Sequence, residues 1–160
     1  MKRVAIALPI LIAACASTLP VPDKLNPGAQ EKLALVVPAK GVQIYECRDA
    51  KWAFVAPEAE LFDQTGKRIG RHYAGPHWEA ADGSRIVGTV KERADAPVAG
   101  AIPWLLLSAK SVGTEGAFSK VTSVQRLATT GGVAPAGNCS QPGSQARVAY
   151  SADYYFFTSK

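Results

Sequence analysis

Beyond residue 30 the chain is a succession of short stretches rich in Val, Ile, Leu, Tyr, Trp and Phe, separated by clusters of Gly, Pro, Asp and Asn. No long stretch carries apolar residues at the three-to-four-residue recurrence that gives a helix one oily face; the segments are strand-sized and bounded by turn residues. Strands are predicted over residues 33–37, 42–47, 52–56, 59–62, 68–74, 77–80, 85–92, 104–112, 120–129 and 147–157. Many short strands at close spacing predict an all-β fold: a single antiparallel β-sandwich or barrel-like domain. Asp82-Gly83 supports antiparallel pairing, because a two-residue type I′ hairpin needs positive φ at both central positions. Ile102-Pro103-Trp104-Leu105-Leu106-Leu107 reads as a strand buried on both faces, with its proline at the entrance where a missing donor costs least. Gly131-Gly132, Pro135 and Gly137 mark a long irregular loop before the last strand.

The N-terminus has a different character. Lys2 and Arg3 precede an apolar run from Val4 to Ala14 that ends in small residues before Cys15. The run is shorter than the roughly 20 residues that span a bilayer, and its charged start and small-residue end have the form of an export signal. Leu11-Ile12-Ala13-Ala14-Cys15 resembles the lipobox of bacterial lipoproteins, which implies that residues 1–14 are a lipoprotein signal peptide and that Cys15 carries diacylglycerol. Two or three acyl chains give lasting attachment, at about 0.8 kcal/mol per buried methylene. Ala16 in place of Asp implies sorting to the outer membrane, facing the periplasm; an ordinary secretory signal, giving a periplasmic or secreted protein, is the alternative. Residues 15–30, with Pro20, Pro22 and Pro27, then predict a lipidated cysteine and a flexible tether, leaving residues 31–160 as the single β-domain.

With Cys15 lipidated, Cys47 and Cys139 remain as an even pair in an oxidising compartment, which predicts a disulfide; neither has the C-x-x-C neighbour of a thiolate metal site. Removing Lys2 and Arg3 takes 18 basic residues to 16, against 13 acidic. The remaining cations are scattered singly, without the basic run or aromatic-basic alternation that grips nucleic acid, so no nucleic-acid partner is expected.

Chemistry-bearing residues are densest from Gly70 to Ser84. If Gly75-Pro76 forms a two-residue turn, His72 faces Glu79, and alternation sets His72, His77 and Glu79 on one surface and Tyr73 and Trp78 on the other. Two imidazoles and a carboxylate are candidate ligands for zinc or copper. No cofactor is otherwise expected, and a packing role for these residues is the stronger reading. Tyr45, Tyr73, Trp78, Asp82 and Trp104 are the candidate ligand-binding residues; for the aromatic ones, core packing competes with an aromatic platform. A carboxylate pair drawn from Glu79, Asp82 and Asp153 is the remaining catalytic option. The chain lacks a G-x-S-x-G elbow, an H-E-x-x-H motif, a phosphate-binding glycine loop and a dinucleotide fingerprint.

The segments Gly41-Val42-Gln43-Ile44-Tyr45-Glu46-Cys47, His72-Tyr73-Ala74-Gly75-Pro76-His77-Trp78-Glu79 with Asp82-Gly83-Ser84, Ile102 to Leu107, Val124-Gln125-Arg126, Thr130-Gly131-Gly132 with Pro135 and Cys139, and Tyr150-Ser151-Ala152-Asp153-Tyr154 resemble a family of exported bacterial and fungal proteins known as a domain of unknown function. The resemblance implies an all-β exported domain and the pairing of Cys47 with Cys139; it implies no activity. The leading expectation is therefore a membrane-anchored envelope lipoprotein whose non-enzymatic β-domain binds a small ligand, glycan or protein. The alternatives are a metal-binding or metal-dependent envelope protein and, third, a hydrolase of an envelope polymer.

Overall fold

The computed structural model describes residues 20–160. Eight antiparallel strands follow one another round a closed barrel, each pairing with the next: β1 (Glu31–Arg48), β2 (Lys51–Phe62), β3 (Arg68–Tyr73), β4 (His77–Ala80), β5 (Arg85–Ala94), β6 (Trp104–Ser111), β7 (Val121–Gly131) and β8 (Gln145–Ser159). The last strand pairs with the first from Glu31↔Ser159 to Glu46↔Gln145, which closes the barrel. The all-β expectation holds in its barrel form, and Cys47 and Cys139 are bonded.

Four predicted strands merge into two. Pro38 and Gly41 read as breaks, yet β1 runs through both. The Val36 carbonyl faces the β2 side, where it accepts a hydrogen bond from Gln64 Nε2 (3.1 Å). Pro38, two residues on, turns its donorless nitrogen the same way, one position outside the β1–β2 ladder that begins at Ala39↔Leu61. Pro57 in β2 lies beside the irregularity opposite Ile44/Tyr45 and just outside the β2–β3 ladder, which begins at Ala59↔His72.

The two ends of the barrel differ. At one end, here the base, the loop between β6 and β7 folds inward and drives Phe118 into the barrel, edge-on to Phe156 with centroids 4.9 Å apart. Asp82 fastens this plug. Its Oδ1 accepts from Ser84 N and Oγ (2.9 and 2.6 Å), its Oδ2 accepts from Ala117 N (2.8 Å), and Ser84 Oγ accepts from Phe118 N (3.0 Å). At the other end, the mouth, the disulfide ties the long β7–β8 loop to the end of β1.

The mouth is notched because the β3–β4 hairpin is short. β2 pairs with β3 only from Ala59 to Phe62, and β5 pairs with β4 only from Arg85 to Val87. Above the hairpin tip, where Gly88 N donates to Pro76 O (3.0 Å), the upper halves of β2 and β5 face each other with no strand between them.

The hairpin tip also corrects the expected register. Proline is disfavoured at the last central position of a two-residue turn unless its peptide bond is cis, and the described residues contain no cis peptide. The chain instead makes a three-residue turn, Ala74-Gly75-Pro76, with Gly75 at φ 109°, a conformation that L side chains rarely adopt. The pairs become His72↔Trp78 and Tyr73↔His77, one step from the predicted register. Such a slip moves residues between faces. His72 and Trp78 both point inward, while Tyr73, His77 and Glu79 stay outside.

The predicted signal peptide, residues 1–14, and Cys15 lie outside the described residues. Of the stretch expected to be a flexible tether, Leu25 and Val21 pack against the barrel, while most of residues 20–30 are exposed. A short 3₁₀ turn, Asp23–Leu25, buries Leu25 against Trp104, Leu106 and Leu127 on the outer wall, and the Leu25 carbonyl accepts from Gln125 Nε2 (2.6 Å).

Candidate functional site: the barrel lumen

Between the Phe118 plug and the mouth lies a cavity of roughly 450 Å³, opening through the notch. That volume suits a small molecule, and eight strands can enclose either packed side chains or one small ligand. Inward-facing rings pack beside small residues. Gly88 lies against the Trp78 indole, where an added Cβ would come within 2.8 Å of the ring. Tyr154 meets Trp78 edge-on at 5.4 Å, and Leu105 and Leu107 continue the apolar wall.

Polar groups converge on this apolar chamber. Tyr45 Oη donates to Gly132 O (2.6 Å) beneath the β7–β8 loop. Arg126 projects inward from β7 and spends Nε and Nη2 on the Pro103 carbonyl (3.1 and 2.8 Å). Its charge reaches Tyr45, His72, Tyr150 and Tyr154, opposing the rise that burial imposes on the three phenols and adding to the fall in His72. Arg126 takes part in none of the ion pairs among the described residues, and no carboxylate among them lines the cavity. Trp78 Nε1 is enclosed without a hydrogen-bond partner, and the Gln43 amide lies against the Tyr150 phenol, whose pKa it helps to lower. Arg126 is thus a cation in an apolar chamber with no counter-ion among the described residues.

His72 supplies a polar group of the opposite sense. Its ring stacks on Trp78 (centroids 4.4 Å, planes 13° apart), and Nδ1 lies 2.7 Å from the His77 carbonyl. A carbonyl can only accept, so Nδ1 carries the proton and Nε2 of the neutral ring is an acceptor. Burial, above all, pushes the His72 pKa down to about 3. The unfolded chain binds this proton near pH 6.5 and the folded chain does not, so the stability contributed by neutral His72 is intact above pH 6.5 and lost as pH falls toward 3. Urea unfolding should show a loss approaching 1.4 kcal/mol per pH unit below about pH 6, strongly reduced in His72→Asn. Asp153, whose pKa burial raises, acts with the opposite sign. An equal slope in the variant would mean that His72 is not the group responsible.

The other candidate residues are dispersed. Tyr45 and Trp78 line the cavity. Tyr73 is outside, stacked on His77 at 5.3 Å and donating to Glu79 Oε2 (2.6 Å), while Arg71 donates to Glu79 Oε1 (2.8 Å). Those two hydrogen bonds hold the Glu79 carboxyl below its usual range. Trp104 is buried on the outer wall under Leu25. Asp82 fastens the basal plug, and hydrogen bonds from Ser84 and Ala117 lower its pKa. Asp153 pairs with Pro38 and Leu127, one position from inward Tyr154 and so on the outer side. With His72 inside and His77 and Glu79 outside, the three do not share a face, and among the described residues no group of three or more His, Cys, Asp and Glu is placed to hold a metal ion. Gln43 and Arg126 lie in segments that carry the family resemblance but are not among the candidate site residues read from the sequence. The available signal was alternation, which puts Arg126 on the same strand face as Val124.

A family model described as "Protein of unknown function (DUF3455)" matches residues 27–158. No curated protein and no solved structure matches the chain.

Proposed function

Starting from the chain's membership of the DUF3455 family, which carries no activity with it, we propose that this is an envelope lipoprotein, anchored through Cys15, whose barrel binds one small acidic amphiphile in its lumen without transforming it. The observation that carries the reading is Arg126, an inward-facing guanidinium with no carboxylate partner among the described residues, in an apolar chamber. A charge without a counter-ion in apolar surroundings is costly, and an anionic head group beside Arg126 supplies one. The head group sits near Arg126, and the apolar body lies along Trp78, Tyr154, Leu105 and Leu107. A glycan strand is less well served, since Trp78 and Trp104 are both buried rather than spread on an open surface.

Titration with a single-chain carboxylate, followed by tryptophan fluorescence, should saturate at one molecule per chain. A hydrogen bond to a charged group contributes about 1.5–3 kcal/mol, so Arg126→Met should weaken binding by roughly tenfold to a hundredfold. Equal binding by the variant, with its fold intact by circular dichroism, would remove Arg126 from the site.

A further inference from the structure

The apolar residues left exposed are concentrated where the cavity opens. Phe54 and Val90, each 53% exposed, stand on the facing upper halves of β2 and β5, with Val55 beside Phe54. Val98 and Val133 project from the β5–β6 and β7–β8 loops at the same end. Only Leu33 and Val112 of the exposed large apolar side chains among the described residues lie toward the base. An apolar rim round a cavity opening is the form of a surface that meets something apolar.

The N-terminal segment indicates what that is. Glu31 starts β1 near the base, where its carboxylate accepts from Thr122 and Ser123. The segment before it climbs the outer wall: Leu25 reaches the level of Gln125, and Val21 packs into a cluster that extends to Ala94 and Ala96 at the mouth end of β5. The described chain therefore begins beside the notch, next to the flank bearing Val90 and Arg93. Cys15 is five residues before Pro20, and five residues span at most about 18 Å. A lipid on Cys15 would tether the chain beside this end of the barrel, within about 18 Å of it, rather than beside the plugged base.

We propose that the notched rim, with Phe54, Val55 and Val90 at its centre, docks on the lipid leaflet, so that the lumen exchanges its amphiphile directly with the membrane. This rests on the anchored-lipoprotein reading and adds the orientation and the source of the ligand. Apolar side chains of this kind insert to the depth of the head-group boundary, and the notch between β2 and β5 gives a single-chain amphiphile a lateral route that avoids water.

The test uses the full chain, processed and lipidated, in vesicles of phosphatidylethanolamine and phosphatidylglycerol containing brominated acyl chains. An environment-sensitive dye is placed on Val98→Cys at the mouth or on Thr65→Cys at the base. Bromine should quench the mouth dye at least severalfold more than the base dye, and Phe54→Asp/Val90→Asp should abolish that difference while leaving the chain attached. Equal quenching at both positions, or stronger quenching at the base, overturns the orientation while leaving the anchor and lumen readings intact. Quenching between mouth dyes on separate chains without lipid quenching gives the rim to a second copy and likewise overturns the proposal. A chain that carries no lipid and does not attach overturns the anchor reading and this inference together, but does not affect solution binding in the lumen.

Discussion

Phe118→Ala should be the most damaging single substitution at the base, lowering stability by about 3–5 kcal/mol, the range for removing a buried phenylalanine ring. The ring is 1% exposed and packs edge-on to Phe156 at the base of the same core that contains Trp78 and Tyr154. Its backbone cannot follow a collapse inward, because Phe118 N is held by Ser84 Oγ and Ala117 N by Asp82. The void would therefore persist, and water would reach the lumen from the closed end. Urea unfolding measures the effect. A loss below 1 kcal/mol would mean that the loop between β6 and β7 does not seal the barrel.

Cys47→Ser should cost roughly 2–5 kcal/mol, the usual range for removing a native disulfide from a small domain. The bond links residues 92 apart in sequence, and cross-linking a loop of that order disfavours the unfolded chain by up to about 4.7 kcal/mol in the entropy description. Its loss has a local consequence as well. The bond secures the β7–β8 loop, whose Gly132 carbonyl accepts from Tyr45 Oη at the edge of the cavity. The variant should unfold at lower denaturant and leave Cys139 as a reactive thiol. Two reactive thiols at Cys47 and Cys139 in native, unreduced protein would contradict the pairing.

The strands of this barrel were legible because their turns carry their own chemistry: Asp82-Gly83 and the Gly-Pro-rich loops punctuate the chain where it reverses. What misled was treating every proline and glycine as punctuation. Pro38 and Pro57 lie within strands, at positions where a neighbouring ladder has ended and no donor is required. The three-residue turn at Ala74-Gly75-Pro76 had a larger effect, because a one-residue slip in a strand with period two carries His72 from the outer surface into the lumen. Arg126 was obscured for a different reason. β7 is largely buried on both faces, with Ser123, Gln125 and Leu127 covered from outside and Val124 within, so no simple alternation of polar and apolar residues marks its inner side. Leu25 looked like part of a tether because one apolar residue among three prolines has no periodicity, and only the outer wall of β6 and β7 gives it a partner.

The central claim is that the lumen selects an acidic head group through Arg126, and its most direct measurement is the affinity of the intact chain for a matched pair of single-chain amphiphiles, one a carboxylate and the other the corresponding primary alcohol, by isothermal titration calorimetry at pH 7. The account predicts one site per chain, at least tenfold tighter binding of the carboxylate, about 1.4 kcal/mol or more, and loss of that preference in Arg126→Met. Equal affinity for the two, or a preference that survives in Arg126→Met, would contradict it.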